Sequence, residues 1–448
     1  MRLATRRLLD RAFSGFGFFA VLLMAAALLV LLAPILVRGA RAFVFSATVE
    51  HRRMQLDLFG RGNREALQAE WAEACRARQP IRDMLSAFRE ELKTRSVAER
   101  RKYEEPLREL EGGLRELLGP RPGDPTPALF RQQYGQTRWD RVEVKLDEVL
   151  YKEAYDHSDP TKMGRKVLTP REEDFRGTSL AALFPYLRSN IEQMLRPKLT
   201  FYWRFLTDES KDAHFFGGIW PEMLGTIYLT LGAIVFAVPM GVLAAIYLTE
   251  YARQNRFNSI LRTCISTLAG VPSIVFGLFG LAFFINTLRV SESKSVLAGA
   301  LTLALLVLPT VIRASEEAIR AVPHTYREAA LSLGASKWHT VVTVILPAAL
   351  PGILTGIVIS MGRAAGETAP IIFTAAVSVG APLALVETLS QPTPALSWNV
   401  YNLATEHQKV DELRHVQYGM VATLVAVVLL LNLAAIALRA RVSRKLRG

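Results

Sequence analysis

An all-α membrane protein is expected, with six membrane-spanning helices and a large, mainly helical soluble insertion between the first and second. Three observations lead there. The chain carries six mainly apolar runs of the length, about 20 residues, that crosses a bilayer as a helix. A long charge-dense stretch follows the first run, and the basic excess is confined to the apolar remainder.

The runs lie near residues 16–37, 223–248, 271–288, 296–312, 350–373 and 420–438. The first resembles a secretory signal in one respect, since Ala40-Arg41-Ala42 imitates a cleavage site. Its apolar run exceeds the roughly 7–15 residues of a signal core, so an uncleaved anchor is expected.

The formal charge of +13 is unevenly spread. Residues 50–215 hold 31 basic and 29 acidic side chains, whereas the other 282 hold 23 and 12. An excess that belongs to the apolar part reports membrane orientation. No stretch interleaves basic and aromatic residues on a polar platform, so nucleic acid is not an expected partner. One set of short flanks is rich in cations: Arg2, Arg6, Arg7 and Arg11; Arg253, Arg256 and Arg262; the 326–347 loop; and Arg439, Arg441, Arg444, Lys445 and Arg447. The opposite set has only Arg289, Lys294, Lys409 and Arg414. Arg38 and Arg41 are the exception, and they open a long segment where the rule has little force. Both termini are therefore expected in the cytoplasm. Cys75 then falls outside and Cys264 inside, with no disulfide framework and no metal-ligand spacing.

The chain divides into 1–43 (N-terminus and first span), 44–215 (extracytoplasmic insertion) and 216–448 (membrane core). In the insertion, Tyr103, Leu107, Leu110, Leu114 and Leu117 form one helical stripe, and Ile81, Leu85, Phe88 and Leu92 another, which suggests a helical hairpin. Gly119-Pro120 and Pro122-Gly123-Asp124-Pro125 end it. Val142, Val144 and Leu146 alternate with polar residues, favouring a short strand, and 178–206 returns to a helix-like pattern ending in Phe201-Tyr202-Trp203. The insertion reads as a solvated tether, with a docking surface for an extracytoplasmic partner as the sharper alternative. His51, His157 and His214 stand alone and carry no site chemistry.

Ionisable residues inside apolar runs stand out, because a charge at that depth costs about 2.5–3.5 kcal/mol on insertion scales unless paired or wetted. Arg363 and Glu367 sit about midway along the fifth run, four residues apart and so on one helix face. They make either an ion pair that locks helices or a polar station on a translocation path, and the path is favoured. A planar guanidinium can bind two oxygens of an oxyanion at once. Arg313 and Glu316, at the end of the fourth run, are a second candidate pair. With Glu317 and Arg320 they also fit an ordinary solvated helix face. Pro239, Pro272 and Pro309 interrupt apolar runs and read mainly as packing kinks.

Residues 326–347, YREAALSLGASKWHTVVTVILP, carry the strongest motif. Glu328-Ala329-Ala330 precede Gly334 by a fixed spacing, and Val344-Ile345-Leu346-Pro347 close the segment. Small Ala329 and Ala330 permit close helix approach, Gly334 allows a sharp turn, and Pro347 is expected to end the helical hydrogen bonding. The segment resembles the EAA loop of bacterial ABC-importer permeases, with Val344 where Ile is usual. Five stretches in order, including LGTIYLTLGAIVFAVPMGVLAAIYLTEYA (224–252), GVPSIVFGLFG (270–280), LPTVIRASEEAIRAVP (308–323) and GRAAGETAPIIFTA (362–375), resemble the PstA-type permease of the phosphate-specific ABC importer.

This resemblance implies the type I ABC-importer permease fold in a bacterial inner membrane, with phosphate as the solute. It implies a second permease of PstC type, two PstB-type ATPases that receive the EAA loop, and an extracytoplasmic phosphate-binding protein. It points to Arg363 and Glu367 as transport residues and keeps Arg313 and Glu316 in view. No G-x-x-x-x-G-K-[ST] motif occurs, so ATP and Mg belong to the partner ATPase and this chain is expected to hold no cofactor and to be non-catalytic. Two alternatives share the architecture: a permease for another small oxyanion or solute, and a phosphate-sensing scaffold of the same complex. An enzyme acting on membrane substrates is disfavoured, since no nucleophile–base constellation is present.

Overall fold

A computed structural model describes residues 3–125, 127–155, 166–253, 255–407 and 409–447. His157 and the side chains of Arg2, Arg6, Arg7, Arg11, Lys445 and Arg447 lie outside the described residues. Two compact units are present: Phe43–Trp203, and Met1–Ala42 together with Arg204–Gly448. Residues 204–215 thus group with the membrane core, where Ile219 N–H donates to the Phe205 carbonyl at 2.8 Å.

The chain opens with α1 (Leu3–Phe43), a helix whose apolar side chains are exposed along most of their length. It continues into β1 (Val44–Ala47), α2 (Val49–Phe59), α3 (Arg64–Thr94) and α4 (Val97–Leu118). The expected hairpin is α3 and α4. Asn63 caps α3 by accepting from the N–H groups of Glu65 and Ala66, and Ser96 with Glu99 forms a capping box on α4. The two stripes meet in one core, where Ile81, Leu85, Phe88, Tyr103, Leu110, Leu114 and Leu117 are buried with Phe175 and Leu187.

After α5 (Phe130–Gln133), the expected strand at 142–146 is instead a helix, α6 (Trp139–Leu150). Three alternating positions are too few to fix a period. Val142, Leu146, Val149 and Leu150 fall on one helical face and pack into the core, leaving Val144 exposed. Strands follow instead as the antiparallel pair β2 (Tyr151–Tyr155) and β3 (Lys166–Pro170). Segment 178–206 is helical only over α7 (Leu183–Leu195) and in short 3₁₀ turns, one at Ser179–Ala182 and one at Trp203–Leu206. Arg196 takes a left-handed conformation (φ 48°) ahead of Pro197, and β4 (Lys198–Phe201) then pairs antiparallel with β1. The helix stops because proline cannot continue it, and a strand some 150 residues away in sequence supplies the ladder.

A small hairpin, β5 (Ser210–Lys211) and β6 (Phe216–Gly217), leads into the membrane core. The core comprises α8 (Trp220–Ile246), α9 (Arg256–Leu268), α10 (Ser273–Gly280), α11 (Val296–Arg320), α12 (His324–Ser332), α13 (Lys337–Thr340), α14 (Leu346–Gly366), α15 (Ala369–Thr374), α16 (Leu396–Thr405) and α17 (Val410–Arg447). Among the described residues, five helices are long and apolar enough to cross a membrane: 12–43, 220–251, 296–320, 337–366 and 410–441. A sixth crossing requires α9 with Ser273–Thr287, a pair bent by 103° at the Gly270–Pro272 break. α11 packs along α8 and α14, with Leu229, Ala233, Ala237, Leu303, Val307 and Val311 between them. A second cluster of Ala245, Ile246, Ile319, Val341, Ile345 and Ile353 lies at the end nearest α12.

Two expectations about the fifth run are corrected. Pro347 does not end the helix, which passes through it from Lys337 to Gly366. A π-turn over Val341–Ile345 precedes it, and the wider turn loosens the spacing that proline would otherwise clash with. Nor does the helix continue to residue 373. It ends at Gly366, and α15 is a separate short helix with proline in its first turn.

Candidate functional site

That interruption is where Arg363 and Glu367 stand. Arg363 lies in the last turn of α14, and Glu367 is its C-cap residue, with extended backbone (φ −73°, ψ 133°). The pair therefore occupies a helix end rather than the middle of a continuous span. The Nε of Arg363 donates to Oε1 of Glu367 at 3.3 Å, a long contact between two half-buried side chains. Pro370 is favourable at the start of α15, where its missing N–H would have had no helical partner.

Leaving the helix deprives the Glu367 carbonyl of an intrahelical donor, and buried backbone groups need one. Ser397, in the first turn of α16, supplies it through Oγ at 3.0 Å, while Thr368 Oγ1 donates back to the Ser397 carbonyl at 3.4 Å. α16 is in turn fastened to α8: the Leu396 N–H donates to Thr226 Oγ1 at 2.9 Å, and Asn399 Nδ2 reaches Oε1 of the fully buried Glu222 at 3.5 Å. His214 Nδ1 lies 3.8 Å from the same Glu222 oxygen. Its ring bridges Ser210 Oγ (2.9 Å) and the Ser378 carbonyl (3.2 Å). A carbonyl only accepts, so Nε2 carries the proton and Nδ1 accepts from Ser210. Burial holds the His214 pKa down to about 4, against the pull of the Ser378 carbonyl. Ser397, Asn399, Thr226 and Glu222 went unnoticed in the sequence. A lone glutamate in the first turn of an apolar run was the available signal for Glu222.

Arg313 and Glu316 do not bond to each other. Arg313 donates to Ser266 Oγ, and Glu316 accepts from Arg262 Nη1 at 2.8 Å, with Arg320 at 4.0 Å, so both tie α11 to α9. No hydrogen bond or ion pair among the described residues joins them to Arg363 and Glu367. No group of three or more His, Cys, Asp or Glu among the described residues is arranged to hold a metal ion.

The 326–347 loop is built as an exposed elbow. α12 ends at Ser332 with Leu333 as its C-cap residue, Gly334 turns left-handed (φ 81°), and Ser336 caps α13 by accepting from the His339 N–H. Glu328 and Ala329 are exposed and Ala330 half-buried, with Glu328 meeting His324 at 3.0 Å. Leu333 is 90% exposed, and Tyr326, Leu331 and Trp338 are exposed too. Leu346 and Pro347 return half-buried to the core. Arg327 anchors the elbow: it donates to Glu250 Oε1 at 3.0 and 2.9 Å and to the carbonyls of Val322 and Ile319. Its partner lies 77 residues away in sequence, which hid it from inspection of the motif.

A bundle of long apolar helices, two of them broken, with an anchored and exposed apolar elbow, defines a multi-pass membrane permease. The chain belongs to the family of binding-protein-dependent transport system inner membrane components, whose profile matches residues 237–448. A probable ABC transporter permease protein of Bacillus subtilis, YqgI, is 34% identical over 60% of this chain and 91% of its own. The phosphate transport system permease protein PstA 1 of Mycobacterium tuberculosis H37Rv is 39% identical over 52% of this chain and 73% of its own. Among solved structures, a chain of an inward-facing MetNI methionine ABC transporter aligns over 50% of this chain and 94% of its own, with 18% identity and a TM-score of 0.39.

Proposed function

We propose that this chain is a permease subunit of an ATP-driven importer of inorganic phosphate. The observation that carries it is the likeness to relatives named phosphate transport system permease PstA, at 35–39% identity over about three quarters of their length in the mycobacterial proteins. The geometry supplies what such a subunit needs. Arg363, at the broken end of α14, offers a guanidinium fork to phosphate oxygens. Glu367 beside it either tunes that arginine or takes the proton that phosphate carries and sulfate lacks.

In this reading a PstC-type permease completes the path. Two PstB-type ATPases, which bind the ATP and Mg, engage the α12–α13 elbow through Glu328, Ala329, Ala330, Gly334 and the apolar side chains around them. A phosphate-binding protein delivers the anion from outside. This reading takes both termini and the elbow as cytoplasmic and the insertion as extracytoplasmic, which the positive-inside distribution supports. Motor closure then moves the elbow, and the surroundings of Arg363 change exposure between two states.

Radiolabelled phosphate uptake in cells lacking this gene, rescued by wild type or by Arg363→Gln, tests it, with membrane insertion and ATPase co-purification checked in parallel. Rescue by wild type alone is expected. Equal rescue by both variants removes Arg363 from the path. Loss of labelled uptake in the presence of excess sulfate or molybdate reassigns the solute to another oxyanion.

A further inference from the structure

Glu222, in the first turn of α8, is a fully buried carboxyl group. No lysine or arginine among the described residues pairs with it; the one ion-pair contact is His214, at 3.8 Å. Its Oε1 receives only the long 3.5 Å contact from Asn399 Nδ2, and its Oε2 has no hydrogen-bond partner among the described residues. The Asn399 Oδ1 is buried and unpartnered too. A carboxylate and a primary amide that meet through one N–H leave an oxygen on each without a donor. One proton removes both deficits, because a carboxylic acid donates from one oxygen to the amide oxygen and still accepts at the other. The alternative, an ionised carboxylate enclosed without a cation, is costly.

The surrounding elements bring no compensating charge. His214, between β5 and β6, keeps its proton on Nε2 for the Ser378 carbonyl and turns Nδ1 to Ser210, so it presents a lone pair. Asp208, just before β5, is buried, and its carbonyl accepts from the Trp220 N–H at 3.1 Å. On α16 the residues beside Asn399 are Ser397 and Trp398, both uncharged, and His407 beyond its end lies against Phe215. α11 and α14 also pack on α8. The first charged residue of α11 is Arg313, which bonds to Ser266, and Arg363 of α14 bonds to Glu367.

This carboxyl group stands where α8 and the start of α16 meet at close range. Thr226, one turn on from Glu222, donates to the Glu222 carbonyl and accepts from the Leu396 N–H. A Cβ at Gly225 would fall 1.9 Å from the Pro394 carbonyl oxygen. The same turn of α16 carries Ser397, whose hydroxyl holds the Glu367 carbonyl at the broken end of α14. Whatever fixes Asn399 therefore fixes the support of that break.

We propose that Glu222 holds a proton and is a positioning residue. As a carboxylic acid bonded through both oxygens to the Asn399 amide, it seats α16 on α8 and so steadies the break at Glu367. The proton site is independent of the solute, whereas its effect on uptake rests on the phosphate-importer reading above.

Infrared difference spectroscopy of the purified complex, wild type minus Glu222→Gln, reads the proton directly. The carbonyl stretch of a protonated carboxylic acid, shifted in D2O and missing from the variant, is expected. A carboxylate band in its place overturns the proposal and assigns Glu222 to an ion pair with His214 or to water. Hydrogen exchange of the α16 amides reads the positioning. Glutamine keeps a donor and an acceptor, so Glu222→Gln is expected to retain wild-type protection and Glu222→Ala to lose it severalfold. Equal exchange in wild type and Glu222→Ala overturns the positioning role. Should Glu222→Ala fail to assemble, Asn399→Leu decides: loss of the hydrogen bond is expected to raise the frequency of the Glu222 carbonyl band, and an unmoved band overturns the pairing. In labelled-phosphate uptake, the apparent KM is expected to rise about fivefold in Glu222→Ala and to stay near wild type in Glu222→Gln. If wild type takes up no phosphate while the band and the protection behave as expected, the phosphate reading fails and the proton site stands.

Discussion

Glu367 leaves the helix just where Arg363 ends it, and the carbonyl so exposed is held by Ser397. A single hydrogen bond of this kind contributes about 1 kcal/mol net. Ser397→Ala is therefore expected to weaken the apparent affinity for transported phosphate about fivefold, with assembly unchanged and Ser397→Thr restoring it. A concentration series of uptake reads this directly. His51 gives a second prediction. Burial, with Arg138 and Arg52 nearby, lowers its pKa to about 3. The unfolded chain takes up that proton near pH 6.5, so below this value the unfolded state binds more protons and stability falls with pH. The Phe43–Trp203 unit should lose up to about 1.4 kcal/mol per pH unit from this group between roughly pH 6 and 4. Glu70, whose pKa is lowered by Lys198 and Arg52 against the effect of burial, acts in the same direction. Limited proteolysis across that range should show progressive opening, and His51→Phe, which keeps the ring between Phe45 and Tyr202, should flatten the profile. Single residues were legible only where their chemistry was out of place locally, as with Arg363. The buried Glu50–Arg78 pair at 2.8 Å, with Arg78 also donating to the carbonyls of Met194 and Leu118, carries no local signal in the sequence.

The elbow shows how much an element's own sequence can specify. Gly334 sits at φ 81°, which a β-branched side chain adopts only at a cost of about 1–2 kcal/mol. Gly334→Val is expected to reduce ATPase co-purification severalfold while the chain still inserts, and Gly334→Asn, which tolerates that conformation, to retain most of it. The α3–α4 hairpin was equally legible, because stripe and caps are local signals. Packing between α14 and α11 was not. A Cβ at Gly352 would lie 2.7 Å from the Cβ of Ala318, an approach decided by two helices meeting. α6 and β4 were misread for a related reason: a short apolar pattern fits either period until a partner surface selects one.

Across the whole molecule, the proposed import mechanism couples a broken helix to an external motor through the elbow, and Leu333 is the elbow's most exposed large apolar side chain. Leu333→Glu is expected to weaken ATPase binding about tenfold or more, the loss typical of removing an apolar anchor, without changing insertion in the membrane. Pull-down of the ATPase at graded concentrations measures it. Membrane class, the α3–α4 hairpin and the glycine turn of the 326–347 elbow were determined by the sequence itself, since hydropathy, periodicity and a glycine's backbone freedom act over a few turns of chain. Only the tertiary structure decided that the fifth run breaks at Glu367, that α16 bridges this break to Glu222, and that Arg327 anchors the elbow on Glu250. Each joins residues tens to well over a hundred positions apart, and such contacts are set by how packed surfaces satisfy buried polar groups, which no local pattern encodes.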